Sequence, residues 1–211
     1  MNGKLLCGGK PVTAIVLAGG RGRRMKADKA GLDVGGKTLL EHVLAQVAPL
    51  VDEVLVALSP GQALPFRPKA ANKGSFRVVR DEVEGLGPLG GILAGLRAAR
   101  NEACLVVACD IPEIDVALLE ALVRTTCGSE ITVPVGPSGL YEPLFALYKR
   151  TVIPTIEALL ASGERSILPL FDRCRTVVVE IGDAGRLRNL NTRADYEEYL
   201  RSHSPGRRTK P

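Results

Sequence analysis

The residues best suited to chemistry gather in residues 13–29, TAIVLAGGRGRRMKADK. Gly19, Gly20 and Gly22 follow an apolar run, and Arg21, Arg23, Arg24, Lys26 and Lys29 interleave with or follow them. Glycines let a backbone take positive φ and admit a ligand against the main chain. Successive N–H groups in such a loop can cradle an anion, while guanidinium and ammonium groups neutralise its charge at fixed points. The combination suits a polyphosphate; a solvated basic surface loop is the plainer alternative. Two carboxylates extend the chemistry. Asp81 follows the short run 76–79, and Asp110 follows the strongly apolar run 103–109, just before Ile111-Pro112. A carboxylate at a sheet edge beside a phosphate loop is a natural Mg²⁺ ligand, because that ion takes one or two carboxylates along with substrate phosphates and water. Both aspartates could instead serve as turn or cap residues.

The two histidines suit no nucleophilic triad, since His42 falls within a predicted helix and His203 near the end of the chain. A basic glycine loop with a strand-end aspartate fits phosphoryl or nucleotidyl transfer, where positioning and charge neutralisation do most of the work. A second glycine segment, residues 31–38, GLDVGGKT, matches the P-loop spacing. A P-loop, however, begins directly after its strand. Here the strand ends at Leu17, and Thr38 with Glu41 reads as the capping box of a helix. A P-loop NTPase using residues 31–38 stands as an alternative. The segment around Gly19 reads G-G-x-G and so fails the dinucleotide pattern G-x-G-x-x-G.

These groups need a scaffold that brings them together. Residues 14–17, 53–58, 76–79, 103–109, 130–134 and 176–180 read as strands, with a further apolar run at 144–148. Helices are expected at 39–50, from Ile92 to near Asn101, at 115–126, 151–161, near Ser166 and at 193–201. Alternation of this kind predicts a single-domain, three-layer α/β/α fold, Rossmann-like, around a mostly parallel sheet. Ligands of such sheets bind at the carboxyl ends of the strands, which is where the glycine loop, Asp81 and Asp110 all fall. Residues 1–11 read as a flexible extension, 12–202 as the domain and 203–211 as a disordered basic tail.

Composition narrows the classes. The 211 residues are 45% apolar and 24% charged, as expected of a soluble domain with an ordinary core. No apolar run approaches the roughly 18 residues of a membrane span, and the N-terminal residues lack the apolar length of a signal peptide. The net charge of +5 is concentrated in residues 21–29 and in Arg201, Arg207, Arg208 and Lys210. With four Phe, four Tyr and no Trp, that favours an anionic small molecule over nucleic acid. Cys7, Cys104, Cys109, Cys127 and Cys174 form no C-x-x-C pair and read as reduced thiols of a cytoplasmic protein.

Residues 17–29, LAGGRGRRMKADK, resemble the L-A-G-G-x-x-x-R-M-G-x-D-K loop of the molybdenum cofactor guanylyltransferases. The resemblance continues through Gly36-Lys37, Leu39-Leu40-Glu41, Asp81, Gly87-Pro88-Leu89-x-Gly91, Cys109-Asp110-Ile-Pro112, Glu142-Pro143 and Asn189-x-Asn191-Thr192. It implies transfer of GMP from GTP to the terminal phosphate of molybdenum-bearing molybdopterin, with release of pyrophosphate and Mg²⁺ as cofactor. It further implies that Leu17, Ala18 and Gly19 contact the nucleotide, and that Lys29 and Arg24 hold its phosphates. Asp81 would bind the nucleotide and Asp110 would also bind the metal. Gly87, Pro88 and Leu89 would lie against the nucleotide, and Asn189 and Asn191 would line the cleft. Transient contacts with other proteins of molybdenum cofactor synthesis are also implied. Lys26 stands where the family usually has glycine, and Ala57 falls near an asparagine that some relatives use, with Ser59 close by. Two further functions would suit these residues: a cytidylyl- or sugar-phosphate nucleotidyltransferase on the same fold, and a catalytically silent nucleotide-binding module. L-A-G-G, where cytidylyl relatives tend to carry L-A-A-G, favours guanine.

Overall fold

Residues 12–17 are apolar without a break except for Thr13 because both faces of their strand are covered. Val12, Ala14 and Val16 pack into one core, and Ile15 and Leu17 into another on the opposite face. The computed structural model describes residues 3–19, 29–67, 75–80, 85–126, 128–182 and 187–203. Its strands are β1 (Leu6–Cys7), β2 (Lys10–Leu17), β3 (Glu53–Leu58), β4 (Arg77–Arg80), β5 (Ala103–Ala108), β6 (Ile131–Val135), β7 (Phe145–Lys149) and β8 (Thr176–Glu180). Its helices are α1 (Leu39–Val47), α2 (Gly87–Ala98), α3 (Val116–Thr125), α4 (Ile153–Ala161), α5 (Leu168–Arg173) and α6 (Arg193–His203). The sheet runs β4-β3-β2-β5-β7-β6-β8, with β1 hydrogen-bonded to β2. Strands β2 to β5 pair in parallel, as do β6 and β8; β7 is antiparallel to both of its neighbours. Residues of α1 and α3 line one core, and residues of α2, α4 and α5 the other, so the expected three layers are present.

Three local expectations are corrected. Residues 1–11 are not simply a loose extension. Gly8 and Gly9, both at positive φ, turn Leu6–Cys7 back onto Lys10–Pro11, and Leu5 is buried. The helix expected to begin at Ile92 begins at Gly87, inside the glycine segment, with a proline in its first turn. His203, assigned to the tail, ends α6, while 204–211 lie outside the described residues.

Helix α2 tolerates its glycines because it lies directly on the sheet. A Cβ at Gly95 would stand 2.6 Å from Ile15 Cγ2, and one at Gly91 would stand 3.1 Å from Leu17 Cδ2. Interior glycines each cost a helix about 1 kcal/mol in propensity. Here they permit an approach no other residue allows, and they hold the first turn of α2 beside the carboxyl end of β2.

The opposite end of the sheet is tied by one buried carboxylate. Glu53 opens β3 and is 7% exposed. It accepts hydrogen bonds from Thr13 Oγ1 at 2.8 Å, the Arg100 backbone N–H at 2.8 Å and the Arg77 guanidinium at 2.6 Å. Burial opposes ionisation, but the Arg100 N–H, Arg77 and Thr13 outweigh it, so the carboxyl titrates below its ordinary value. Because the folded value is depressed, the ionised form stabilises the fold above the ordinary carboxylate range. That contribution disappears as pH falls through the folded value. Glu53→Gln is therefore expected to lose about 1–3 kcal/mol in urea unfolding at pH 7. The gap to the wild-type protein should close only below the ordinary value of 4.5; a gap constant down to pH 3 would contradict this account.

Candidate active site

Three parallel strands deliver their chains to one edge. Leu17 pairs with Ala57 of β3 and Ala108 of β5. Beyond the strands the alignment continues. The Ala18 N–H donates to the Ala57 carbonyl at 2.9 Å, and the Cys109 N–H donates to the Leu17 carbonyl at 3.0 Å. Asp110 is thereby set beside the point where the glycine loop leaves β2. Ile111, 1% exposed, anchors the turn from its far side. Gln46 of α1 holds the next residues, donating to the Pro112 carbonyl at 2.7 Å and accepting from the Ile114 N–H at 3.1 Å.

Lys29 returns from the glycine loop to this same place. It opens a 3-10 turn, Lys29–Gly31, whose Ala30 is buried in the core. Its Nζ donates to Asp110 Oδ2 at 2.9 Å and to Asn191 Oδ1 at 3.2 Å. Residues 81 and 162 positions away in sequence thus meet on one ammonium group. The Lys29 and Asp110 side chains are 19% and 22% exposed, so their attraction is screened less than at an open surface while both stay accessible.

Asn191 is fixed by the residues that start α6. The Asn191 and Thr192 N–H groups both donate to Asp195 Oδ2, and the Asp195 N–H donates back to Thr192 Oγ1. This reciprocal cap opens the helix. Leu190 is fully buried with Val34, Leu39 and Tyr199, and its N–H donates to the Asp110 carbonyl at 2.8 Å. Asn189 bonds to the side chain of Glu142, a half-buried carboxylate whose pKa burial pushes above its ordinary value, against the opposing effect of that bond. The Glu142-Pro143 pair of the sequence marked this position. Its contact with Asn189 was not legible, because it depends on how the β6–β7 connection folds.

The other expected site residues divide. Leu17 and Ala18 are nearly buried, and the Ala18 carbonyl is taken by Gln62 Nε2 at 3.0 Å. Gly19 is the exposed residue of the three, and a Cβ there would stand 2.9 Å from both Ser59 N and Ser59 Oγ. Gly87, at φ +64°, and Pro88 are exposed in the first turn of α2, where helical N–H groups lack intrahelical partners. Leu89 has 0% exposure, so its side chain serves the core rather than a ligand. Arg24 and Asp81, with Gly20 and Lys26, lie outside the described residues.

The P-loop alternative fails on geometry. Residues 31–38 follow a 3-10 turn rather than a strand. They fold on themselves: the Val34 N–H donates to the Lys37 carbonyl, the Gly36 N–H donates to Asp33 Oδ1, and Asp33 pairs with Thr38. The Thr38 hydroxyl is engaged in the capping box of α1. His42 serves the contact between α1 and α6, its Nε2 3.2 Å from the Tyr199 hydroxyl, while His203 stacks on that ring within α6 and pairs with Glu113.

A glycine loop leaving β2 with a lysine, an aspartate and an amide converging at the carboxyl edge of a doubly covered sheet define a nucleotidyltransferase-type site. The family described as MobA-like NTP transferase domain matches residues 14–177, and the chain belongs to it. A molybdenum cofactor guanylyltransferase of Pseudomonas putida is 36% identical over 185 residues, covering 86% of this chain and 94% of that protein. A probable molybdenum cofactor guanylyltransferase of Methanosarcina mazei is 34% identical over 200 residues, covering 89% of each chain. The crystal structure of molybdopterin-guanine dinucleotide biosynthesis protein A from Archaeoglobus fulgidus superposes with a TM-score of 0.73 at 26% identity, covering 90% of this chain and 97% of that one.

The geometry separates two lysines that the sequence offers for phosphate. Lys29→Ala is expected to weaken binding of a nucleoside triphosphate by roughly 10- to 100-fold, the worth of a charged hydrogen bond. Lys37→Ala, on an exposed turn, should stay within about twofold of wild type in the same equilibrium titration, well short of the effect of a charged contact. The reverse order would restore the P-loop.

Proposed function

We propose that this protein transfers GMP from GTP to the terminal phosphate of molybdenum-bearing molybdopterin, releasing pyrophosphate and forming the guanine dinucleotide form of the cofactor. The observation that carries the reading is the meeting of Lys29, Asp110 and Asn191 at the strand edge, in a chain whose relatives carry that activity in their names. An acceptor phosphate oxygen forms a new bond to the α-phosphorus of GTP as the bond to the β-phosphate breaks. The electron pair of the broken bond leaves with pyrophosphate. A phosphate monoester is largely ionised at neutral pH, so the attack needs no general base, which agrees with histidines committed to packing.

Each residue then has a task. Lys29 neutralises phosphate charge, and its ammonium already lies 2.9 Å from Asp110 Oδ2 at the strand edge. Asn191 orients that ammonium, and Asn189 with Glu142 forms the wall toward β6 and β7, which we assign to the acceptor side. Arg24 and Asp81 are assigned to the phosphates and the nucleoside respectively.

Mg²⁺ fits the donor set. Two hard oxygens, Asp110 Oδ2 and Asn191 Oδ1, already surround a positive charge, and Asp110 would hold the ion with substrate phosphates and water completing its shell. When bound it would offset charge that builds on the transferring and leaving phosphates. We place the reaction in the cytoplasm; among the described residues no helix is long and apolar enough to cross a membrane. Passing contacts with the proteins that load the metal and receive the product belong to the same reading.

Pyrophosphate release, measured with each of the four NTPs and Mg²⁺, with and without molybdate-bearing molybdopterin, tests the reading. Turnover is expected with GTP alone and only with the pterin present. Turnover with CTP would overturn the base assignment, and none with any NTP would leave a silent binding module. In the same assay Asp110→Asn should cost at least about 100-fold in turnover. Its unfolding midpoint should move little, since a partly exposed ion pair contributes only about 0–1 kcal/mol to stability.

A further inference from the structure

The structure assigns a positioning role to Gln62, which joins the segments leaving β2, β3 and β4 at the edge where the nucleotide is proposed to bind. The inference rests on that reading of the site. Gln62 lies in the turn after β3, its N–H donating to the Ser59 carbonyl at 3.1 Å. Its side-chain amide spans two segments: Oε1 accepts from the Ser59 N–H at 3.1 Å, and Nε2 donates to the Ala18 carbonyl at 3.0 Å. Its own carbonyl accepts from the Arg80 guanidinium at 2.6 Å. One half-buried residue therefore touches the last described stretch before the glycine loop, the turn after β3 and the residue that precedes Asp81.

The packing leaves little freedom around this clasp. Gly19 lies so close to Ser59 that a Cβ would stand 2.9 Å from its N and Oγ atoms. Where Gly19 starts the loop is thus dictated by where Ser59 stands, and Ser59 is held by the Gln62 carboxamide. An amide is the group the place requires, because the Ala18 carbonyl needs a donor and the Ser59 N–H an acceptor only a few ångströms apart. Losing the clasp would let Ala18–Gly19, the turn after β3 and Arg80 shift independently. The nucleotide would then have to order them on binding. Ordering of that kind weakens ground-state binding and leaves the phosphoryl chemistry at Asp110 largely intact.

Gln62→Met keeps the length of the side chain and removes both amide bonds. Gln62→Glu keeps the acceptor for Ser59 and sets an oxygen against the Ala18 carbonyl. Both variants are expected to raise KM for GTP at least tenfold, with kcat reduced less than threefold and KM for the pterin acceptor unchanged. GTP titration without acceptor should show the same loss. A merely structural role would instead lower Tm and worsen both KM values and kcat together, and that result would overturn the proposal, as would wild-type GTP affinity in both variants. Lys29→Ala separates the two levels of inference. If it loses GTP while the Gln62 variants retain it, the role of Gln62 falls and the site stands. If it too binds GTP like the wild-type protein, the site reading falls as well.

Discussion

The alignment of Leu17, Ala57 and Ala108 across three parallel strands is the constraint on which the site depends. These strands bury side chains on both faces, so each alternates between two cores. Val16, Val56 and Val107 enter one core, and Ile15, Leu55 and Val106 the other. A slip of one residue would exchange the two sets and spoil both cores at once. Register is thus held by packing far from the chemistry, yet it decides which backbone atoms reach the edge together. The bonds from Ala18 to Ala57 and from Cys109 to Leu17 extend it past the last strand residues. Asp110 inherits its position from them.

Electrostatics completes what register begins. Lys29 and Asp110 meet at partial burial, where the charges interact more strongly than in water without the desolvation cost of a deep interior. Asn191 accepts a further bond from the ammonium without adding charge. The carboxylate therefore carries a cation of the protein's own. Under the function proposed above, a metal ion with nucleotide phosphates would offer the two partners a mutual exchange, ion to Asp110 and ammonium to phosphate. Partial exposure of both side chains would permit that exchange; the carboxylate of Glu53, itself buried, is instead held as a structural tie.

Much of this was legible in the sequence because local rules determine it. Continuous apolar runs gave the buried strands, Thr38 and Glu41 gave the start of α1, and the position of Asp110 after its strand placed it at the edge. Other features depend on tertiary context. The direction of β7 has no local signature, since a buried run reads alike parallel or antiparallel. The early start of α2 was hidden because glycine argues against helix unless a strand lies close enough to require it, as β2 does through Leu17 at Gly91. Leu89 carried a motif position, yet its side chain went to the core. Glu142 and Gln62 drew no functional assignment, since a carboxylate beside a proline and a glutamine in a turn look ordinary until their partners are known.

The two glycine segments show why context outweighs pattern. Residues 31–38 carry the better-known spacing, and residues 19–22 match neither the P-loop nor the dinucleotide pattern. In the first, Gly35 and Gly36 at positive φ close a tight turn whose hydrogen bonds run inward, and the threonine that would serve a metal caps a helix instead. In the second, Gly19 is pressed against Ser59 at the end of a central strand, and Lys29 returns to a carboxylate at that same edge. A phosphate site needs donors aimed outward and counter-charge held at a fixed point, and both depend on where a segment leaves the sheet. The spacing of residues 31–38 is therefore a coincidence of turn chemistry, and the sheet edge selects which glycine loop can work.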